Sequence, residues 1–358
     1  MSFDADVYFN GQRKELYRLH KELIEIESIS GDENSVGIYL KTYLEGLGYT
    51  VEWQPVPGKT NRERANVYAY KGTERNTQVL LTSHIDTVPP YFGYRVEGDR
   101  IYGRGSVDDK NCVAAMIVAL EELFAEKRVT PEDVGLLFVV EEEVGGPGMQ
   151  FANKNLDIKS WKSVIFGEPT EMKLGIGHKG VVMFDYVAHG KAAHSGYPEL
   201  GINATSKLID ALYKLTHSPL PRSDLLGEST INVGIINGGV AGNVIPEYAK
   251  ATIIIRVAKN IEKILEIVNS IAAEFDLEVA NVYSVPEQSL DFKVPGFDGI
   301  ALSFVTDVAN LDGNFKRFLY GSGSIHVAHS DHEYVPIKEL YDSVDGYKKL
   351  VQFSLENH

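Results

Sequence analysis

The 358-residue chain has a single cysteine, Cys112, so it cannot hold an intramolecular disulfide framework. Cys112 lies in an apolar helical run, which gives it the part of a small buried hydrophobe rather than a nucleophile. No apolar run approaches the length of a membrane span, and the start Met-Ser-Phe-Asp-Ala-Asp-Val-Tyr lacks the basic end and apolar core of a signal peptide. A cytoplasmic protein is the expectation. Basic residues are outnumbered 35 to 50 by acidic ones, a formal charge of -15. That balance disfavours nucleic acid and anionic membranes as partners; it suits cation binding, and it serves solubility equally well. Repeats and low-complexity segments are missing too, and the length leaves room for two domains of ordinary size, each with its own core.

What is present centres on residues 78–110. The apolar run Val79-Leu80-Leu81 passes into Thr-Ser-His84-Ile-Asp86-Thr-Val and closes on two prolines, and Gly103-Arg-Gly-Ser-Val-Asp108-Asp109-Lys110 follows. The run reads as a buried parallel strand stopping at its carboxyl edge, where open α/β sheets bind ligands. On such an edge His84 offers an imidazole nitrogen to a metal, with Asp86 near enough to orient the ring. By itself His-x-Asp describes an ordinary pair of loop residues equally well. Two more strands repeat the pattern: Val134 to Val140 runs into Glu141-Glu142-Glu143, and Ser163 to Gly167 ends at Glu168-Pro169-Thr170. For Asp108 and Asp109 the plain alternative is capping of the helix that begins near Val113.

Around these strands, apolar spacing predicts helices from Gln12 to Ile29 and from Asp32 to Leu47, the second stopped by Gly48, and strands at Val51–Val56 and Ala65–Lys71 separated by a charged loop. From about Ile176 the pattern changes. Strand, helix, strand, strand, helix, strand is the order of a ferredoxin-like split βαβ module, with strands at Val181–Val187, Thr230–Ile236, Glu247–Val257 and Glu278–Ser284 and helices at Ala204–Leu215 and Ile261–Phe275. The remainder carries His326, His329 and His332 and an amphipathic helix from Ile337 to Leu355. The expected architecture is α/β: a mixed, mostly parallel sheet flanked by helices, formed by 1–177 and 291–358, with an α+β module inserted at 178–290.

Seven motifs in order make the whole chain resemble the M20 metallopeptidases, a family that includes acetylornithine deacetylase, succinyl-diaminopimelate desuccinylase and carboxypeptidase G-type enzymes. They are His84-x-Asp86, Gly103-x-Gly105-x-x-Asp108-x-Lys110, Glu142-Glu143 before Val-Gly, Gly167-Glu168-Pro169-Thr170, Gly190-Lys-Ala-Ala-His194-Ser, Gly242-Asn243-Val-Ile-Pro246, and His329 four residues before Glu333. The resemblance implies a zinc-exopeptidase-like catalytic domain and an inserted lid or dimerisation domain. It also implies two divalent metal ions per chain, zinc first, with cobalt or manganese possible: Asp108 bridging, His84 and Glu168 on one ion, Glu143 and His329 on the other. Five oxygen and imidazole donors suit those metals. Glu142 matches the general base acting on a metal-bridged water, Asp86 the residue that orients His84, and the peptide between Asp108 and Asp109 is expected to be cis. Glu141 is expected to support a ligand from behind or to play a structural role, not to be a ligand itself.

In the inserted module His194 matches a histidine that reaches into a partner subunit's site to stabilise an oxyanion, which implies a homodimer. Asn243 would assist the oxyanion or substrate, and Arg256 would grip a substrate carboxylate. Ile254 departs from the family pattern, which has an acidic residue two places before that arginine. The function implied is hydrolysis of the amide of a small N-acyl amino acid, acetylornithine-deacetylase-like, with a dipeptidase or carboxypeptidase as the alternative. A non-catalytic, metal-stabilised binding protein is a third reading; a complete ligand set with a base beside it argues against that. Gly103-Arg-Gly lacks the third glycine of a dinucleotide fingerprint, and Gly321-Ser-Gly-Ser is not a nucleophile elbow.

Overall fold

A computed structural model describes residues 4–58, 63–158 and 160–357. The first three residues of the chain start, part of the charged loop after the first strand, and His358 lie outside the described residues. The chain divides into two compact units. One comprises the residues up to Ile176, Leu290–Ile300 and those from Thr306 on; the other is Gly177–Ser289 with Ala301–Val305.

The first unit is built on a six-stranded sheet in the order Thr50–Pro55, Ala65–Tyr70, Val134–Val139, Val79–His84, Ser163–Gly167, Lys316–Tyr320. The last four strands are mutually parallel and the first two antiparallel, so the sheet is mixed. Val79–His84, Val134–Val139 and Ser163–Gly167 are buried at every position, as parallel strands covered on both faces are, and so carry runs of consecutive apolar residues. Register places His84 opposite Val139 and Thr82 opposite Phe166, so the three runs end at one carboxyl edge. The helix Lys110–Ala125 is buried along most of its length and packs against Lys14–Glu25 and Ile337–Glu356. The tail thus returns to this unit, adding both its last strand and its last helix.

The first long helix is shorter than its apolar spacing suggests. It ends at Glu25, and Ile26 is extended. The cause is Lys110, whose buried ammonium donates to the carbonyls of Leu23 (2.9 Å) and Ile26 (2.8 Å), while the Ser28 hydroxyl donates to the Ile85 carbonyl at 2.8 Å. These contacts draw the chain after Glu25 towards the loops that follow the strand Val79–His84. The helical continuation would leave the ammonium of Lys110 without acceptors.

The second unit is a four-stranded antiparallel sheet in the order Thr230–Gly238, Tyr248–Val257, Gly180–His189, Leu277–Val285. Its helices Ala204–His217 and Ile261–Glu274 pack on one face around Val182, Phe184, Ile253, Leu208 and Val268. Each helix opens on an asparagine: Asn203 accepts from the Ser206 amide, Asn260 from the Lys263 amide. This is the ferredoxin-like arrangement. Among the described residues, no helix is long and apolar enough to cross a membrane.

Leu136 is 0% exposed on the central strand Val134–Val139, whereas Val240 is 89% exposed. Leu136→Ala should therefore lower unfolding free energy by about 3 kcal/mol, and Val240→Ser should change it by less than about 0.5 kcal/mol, read from urea denaturation.

Candidate metal centre

His84 is the last residue of its strand, and the fold fixes which ring nitrogen it presents. Its Nδ1 lies 3.0 Å from the Asp86 carbonyl and 3.3 Å from Asp86 Oδ1, a pair of acceptors that holds the proton on Nδ1. Nε2, the nitrogen left for a metal, faces Asp108 Oδ1 3.0 Å away, and without a metal it donates its proton to that oxygen. Asp86 is itself held on several sides. Its Oδ1 accepts from the Glu142 amide at 3.0 Å, and its Oδ2 accepts from the Glu143 amide at 3.3 Å and the Ser30 hydroxyl at 2.7 Å. One buried carboxylate therefore sets the His84 ring and the start of the glutamate turn together.

Asp108 is carried by the loop that follows Gly103. Gly105 has φ +85°, and a Cβ there would lie 2.9 Å from the Thr87 side chain and 3.0 Å from that of Lys110, so both conformation and space call for glycine. The Asp108–Asp109 peptide is cis. The two oxygens of Asp108 face different imidazoles: Oδ1 faces His84, and Oδ2 lies 3.1 Å from His329 Nε2. Asp109 does not cap the helix, which begins with no side-chain cap bond. Its carboxylate turns inward and accepts from the Ser83 hydroxyl at 2.5 Å.

Glu141, two residues past the strand Val134–Val139, has φ +58°, and its carboxylate is paired at 2.6 Å with the buried Arg64, a structural role. This turns Glu142 and Glu143 back towards the sheet edge as a short 3-10 turn, Glu142–Val144. Glu143 lies 3.0 Å from His329 Nε2. Two groups of three donors have ligand atoms within 4.8 Å of one another: His84, Asp108 and Glu143, and His84, Glu142 and Glu168. That limit admits the roughly 3.3 Å that neighbouring ligands keep around a tetrahedral ion with bonds near 2.0 Å. Neither His326 nor His329 belongs to these two groups, but His329 lies against Asp108 and Glu143, whereas His332 faces the adjacent Asp331.

The electrostatics of the cluster call for a cation. Among the described residues, no hydrogen bond reaches the carboxyls of Glu142 and Glu168; burial pushes both well above the usual carboxylate range, and neighbouring acids push them further. Asp307, which shares a small cavity wall with His84, Glu142 and Glu168, is raised by burial to about 7. Burial works on Asp108 in the same direction, but the hydrogen bonds from His329 and His84 outweigh it and hold the carboxyl low. The hydrogen bonds to Asp108 and then Glu143 raise His329 to about 10, and His84 is raised too, burial opposing and Asp108 and Asp86 prevailing. Divalent cations would discharge these acids. The oxygen and imidazole donors, with no thiolate among them, fit zinc, cobalt or manganese.

Asp307 and Glu333 went unassigned in the sequence. Asp307 follows the second unit with no motif of its own. Glu333 stood only as a marker for His329, yet it is fully buried against the Asp108 loop. In the second unit, the short strand Ala193–His194 pairs with Val244–Ile245, and the Ser195 amide donates to the Asn243 carbonyl at 3.0 Å, which brings His194 and Asn243 together. The Gly196 amide donates to His194 Nδ1 at 3.0 Å, so the proton of the neutral ring sits on Nε2. Arg256 is half-buried on Tyr248–Val257 between Thr230 and Val181, and burial lowers its pKa.

Known proteins share this architecture. The profile of a peptidase dimerisation domain matches residues 176–281, and that of peptidase family M28 matches residues 66–192. A tripeptidase from Staphylococcus aureus superposes with a TM-score of 0.81 at 20% identity, covering 97% of this chain and 99% of that one. An M20 family metallo-carboxypeptidase from Sulfolobus solfataricus gives 0.73 at 18% identity, covering 95% and 99%. These two show the fold. In sequence, a "Probable carboxypeptidase" of Aspergillus terreus is 41% identical over 94% of this chain and 86% of its own length. A peptidase M20 domain-containing protein of Schizosaccharomyces pombe is 48% identical over 95% of this chain and 85% of its own. At that identity across nearly its full length, and with its acids and imidazoles gathered as candidate metal ligands, the chain belongs to the peptidase M20 family, metal-dependent hydrolases of C–N bonds.

Proposed function

We propose that the protein hydrolyses an amide whose nitrogen belongs to an amino acid bearing a free carboxylate. The observation that carries this reading is Asp108 set between two imidazoles, 3.0 Å from His84 and 3.1 Å from His329. We assign Asp108 as the bridge, His84 and Glu168 to one side of it, and Glu143 and His329 to the other. Two divalent ions, zinc first, would lower the pKa of a shared water and polarise the substrate carbonyl. Among the described residues no hydrogen bond holds the Glu142 carboxyl elsewhere; as general base it takes the proton of the attacking water and returns it to the departing amine. Asp86 keeps the His84 ring and the Glu142 backbone in register for that transfer.

His194 Nε2–H is the oxyanion donor in this scheme, acting in the site of a second copy of the chain, with Asn243 assisting. A homodimer is supported by the strand Thr230–Gly238, at one end of its sheet, where Ile235 and Ile236 are exposed, with Ile209 and Tyr213 exposed on the helix Ala204–His217. Arg256 has no hydrogen-bond or ion-pair partner among the described residues, which supports a guanidinium kept for the substrate carboxylate. Two substrates satisfy this chemistry. Deacylation of an N-acyl amino acid, acetylornithine-deacetylase-like, is the reading the motifs suggest. Removal of a carboxyl-terminal residue from a short peptide is favoured by the relatives named "Probable carboxypeptidase".

Amine release from N-acetyl amino acids and from dipeptides, with zinc or cobalt supplied, tests the reading. Turnover of either class that falls about 100-fold in kcat/KM when the substrate carboxylate is amidated, and likewise in Arg256→Met, is the expected result. Indifference to amidation would remove the carboxylate from the proposal. Glu142→Gln should retain both ions and lose about 10³-fold in kcat. A loss under tenfold would exclude it as the base.

The raised imidazole sets the sign of the pH dependence. In metal-free protein the charged His329, with a folded pKa of about 10 against 6.5 for the free ring, stabilises the fold fully below 6.5, and that stability is lost as pH rises through about 10. An ion binding at His329 must displace this proton, so affinity at that position should climb by up to about tenfold per pH unit below about 10. Calorimetric titration across pH 6 to 8, in two buffers of different ionisation enthalpy, would read the released proton; a pH-independent affinity would contradict the assignment.

A further inference from the structure

Glu333 lies four residues beyond His329, and it is fully buried. Its Oε1 accepts from the backbone amides of Gly105 at 2.9 Å, Val107 at 3.2 Å and Asp108 at 3.3 Å. Its Oε2 takes the buried Arg104 guanidinium at 2.5 Å. Three convergent amides make a backbone nest of the kind that binds anions, and here the anion is a side chain of the protein itself. The positive φ of Gly105 curls the loop around it. The backbone of the same segment is fastened alongside: the Glu333 carbonyl accepts from the Gly103 amide at 3.3 Å, and Tyr334–Pro336 pairs with Arg100–Tyr102.

The segment that delivers His329 and the loop that delivers Asp108 are therefore joined at one carboxylate. We propose that Glu333 is a positioning residue: by seating the amides of Gly105, Val107 and Asp108, it fixes the Asp108 carboxylate at the spacing from His329 that the second ion requires. The carboxylate touches neither imidazole nor the reacting atoms, and it acts through the backbone of Asp108. Because the nest is complete within the polypeptide, it forms before any ion binds. Asp86 fixes His84 and the glutamate turn, whereas His329 comes on the segment that Glu333 fastens, so loss of Glu333 falls on the spacing between Asp108 and His329. This inference rests on the assignment of Asp108 and His329 as ligands.

Two variants separate reach from charge. Glu333→Asp keeps the charge opposite Arg104 and withdraws the carboxylate from the amides by about 1.5 Å, one carbon–carbon bond. Glu333→Gln with Arg104→Met keeps an acceptor oxygen over the amides and removes both buried charges. Zinc and cobalt titrations, with the cobalt visible spectrum, should show Glu333→Asp losing about 10- to 100-fold in affinity for the second ion while keeping the first. Its kcat should fall in step, with KM within about threefold. The double variant should hold both ions as the wild type does. Hydrogen exchange on the metal-free wild type adds a measurement that needs no variant: amides 105–108 should stay protected while 325–332 exchange more readily.

Opening of 105–108 on metal removal to the same degree as 325–332 would overturn the proposal, because the ions would then be holding the loop. So would Glu333→Asp binding the second ion like the wild type, or both variants losing both ions together. A wild type that binds fewer than two ions would strike the ligand assignment instead, while protection of 105–108 without metal would still report on Glu333.

Discussion

Burying negative charge is the constraint on which the first unit depends. Asp86, Asp108, Glu168, Asp307 and Glu333 are all buried about one sheet edge, with Glu142 and Glu143 beside them. Carboxylates so crowded repel one another and lose solvation, so each must gain amide protons, an imidazole, a proton of its own or a cation. The fold supplies the first two in places. Asp86 has two amides and a hydroxyl, Glu333 has three amides and an arginine, and Asp108 has two imidazoles. Among the described residues Glu142 and Glu168 receive neither amide protons nor an imidazole hydrogen bond, and they are the pair grouped with His84 as metal donors.

The placement of these groups follows from the sheet. Parallel strands end together, and the polar residues after each apolar run project from the same edge. Loops then turn the side chains inward by local devices: the left-handed Glu141 locked by Arg64, the glycine at 105, and the closing of the Lys14–Glu25 helix by Lys110. None of these devices touches the acids that would meet substrate. They position the chain that carries those acids, and a small error in any one would be repeated at the metal ligands.

Much of this was legible in the sequence because burial on both faces leaves a plain mark. Val79–His84, Val134–Val139 and Ser163–Gly167 appeared as apolar runs with acids or histidine at their ends, and the second unit's element order emerged from alternation and helical spacing. What periodicity cannot report is pairing between distant residues. Glu333 and the Gly105 amide are 228 residues apart, and Arg64 and Glu141 are 77 apart. Asp307 carries no motif and gains meaning only from the cavity it shares with Glu142. The early end of the first long helix was hidden for the same reason: the apolar spacing continues to Ile26, and the lysine that stops the helix lies 84 residues away. The aspartates before the Lys110–Ala125 helix looked like caps because local sequence offers no other partner, yet His84, His329 and Ser83 claim them.

The central claim is that Asp108 is shared between two ions. Diffraction from zinc-loaded crystals, measured on either side of the zinc absorption edge, tests it without reference to any substrate. The account predicts two anomalous peaks about 3.5 to 4 Å apart, one towards His84 and Glu168 and one towards Glu143 and His329, with the Asp108 carboxylate between them. A single peak, or a pair that does not share Asp108, would contradict it.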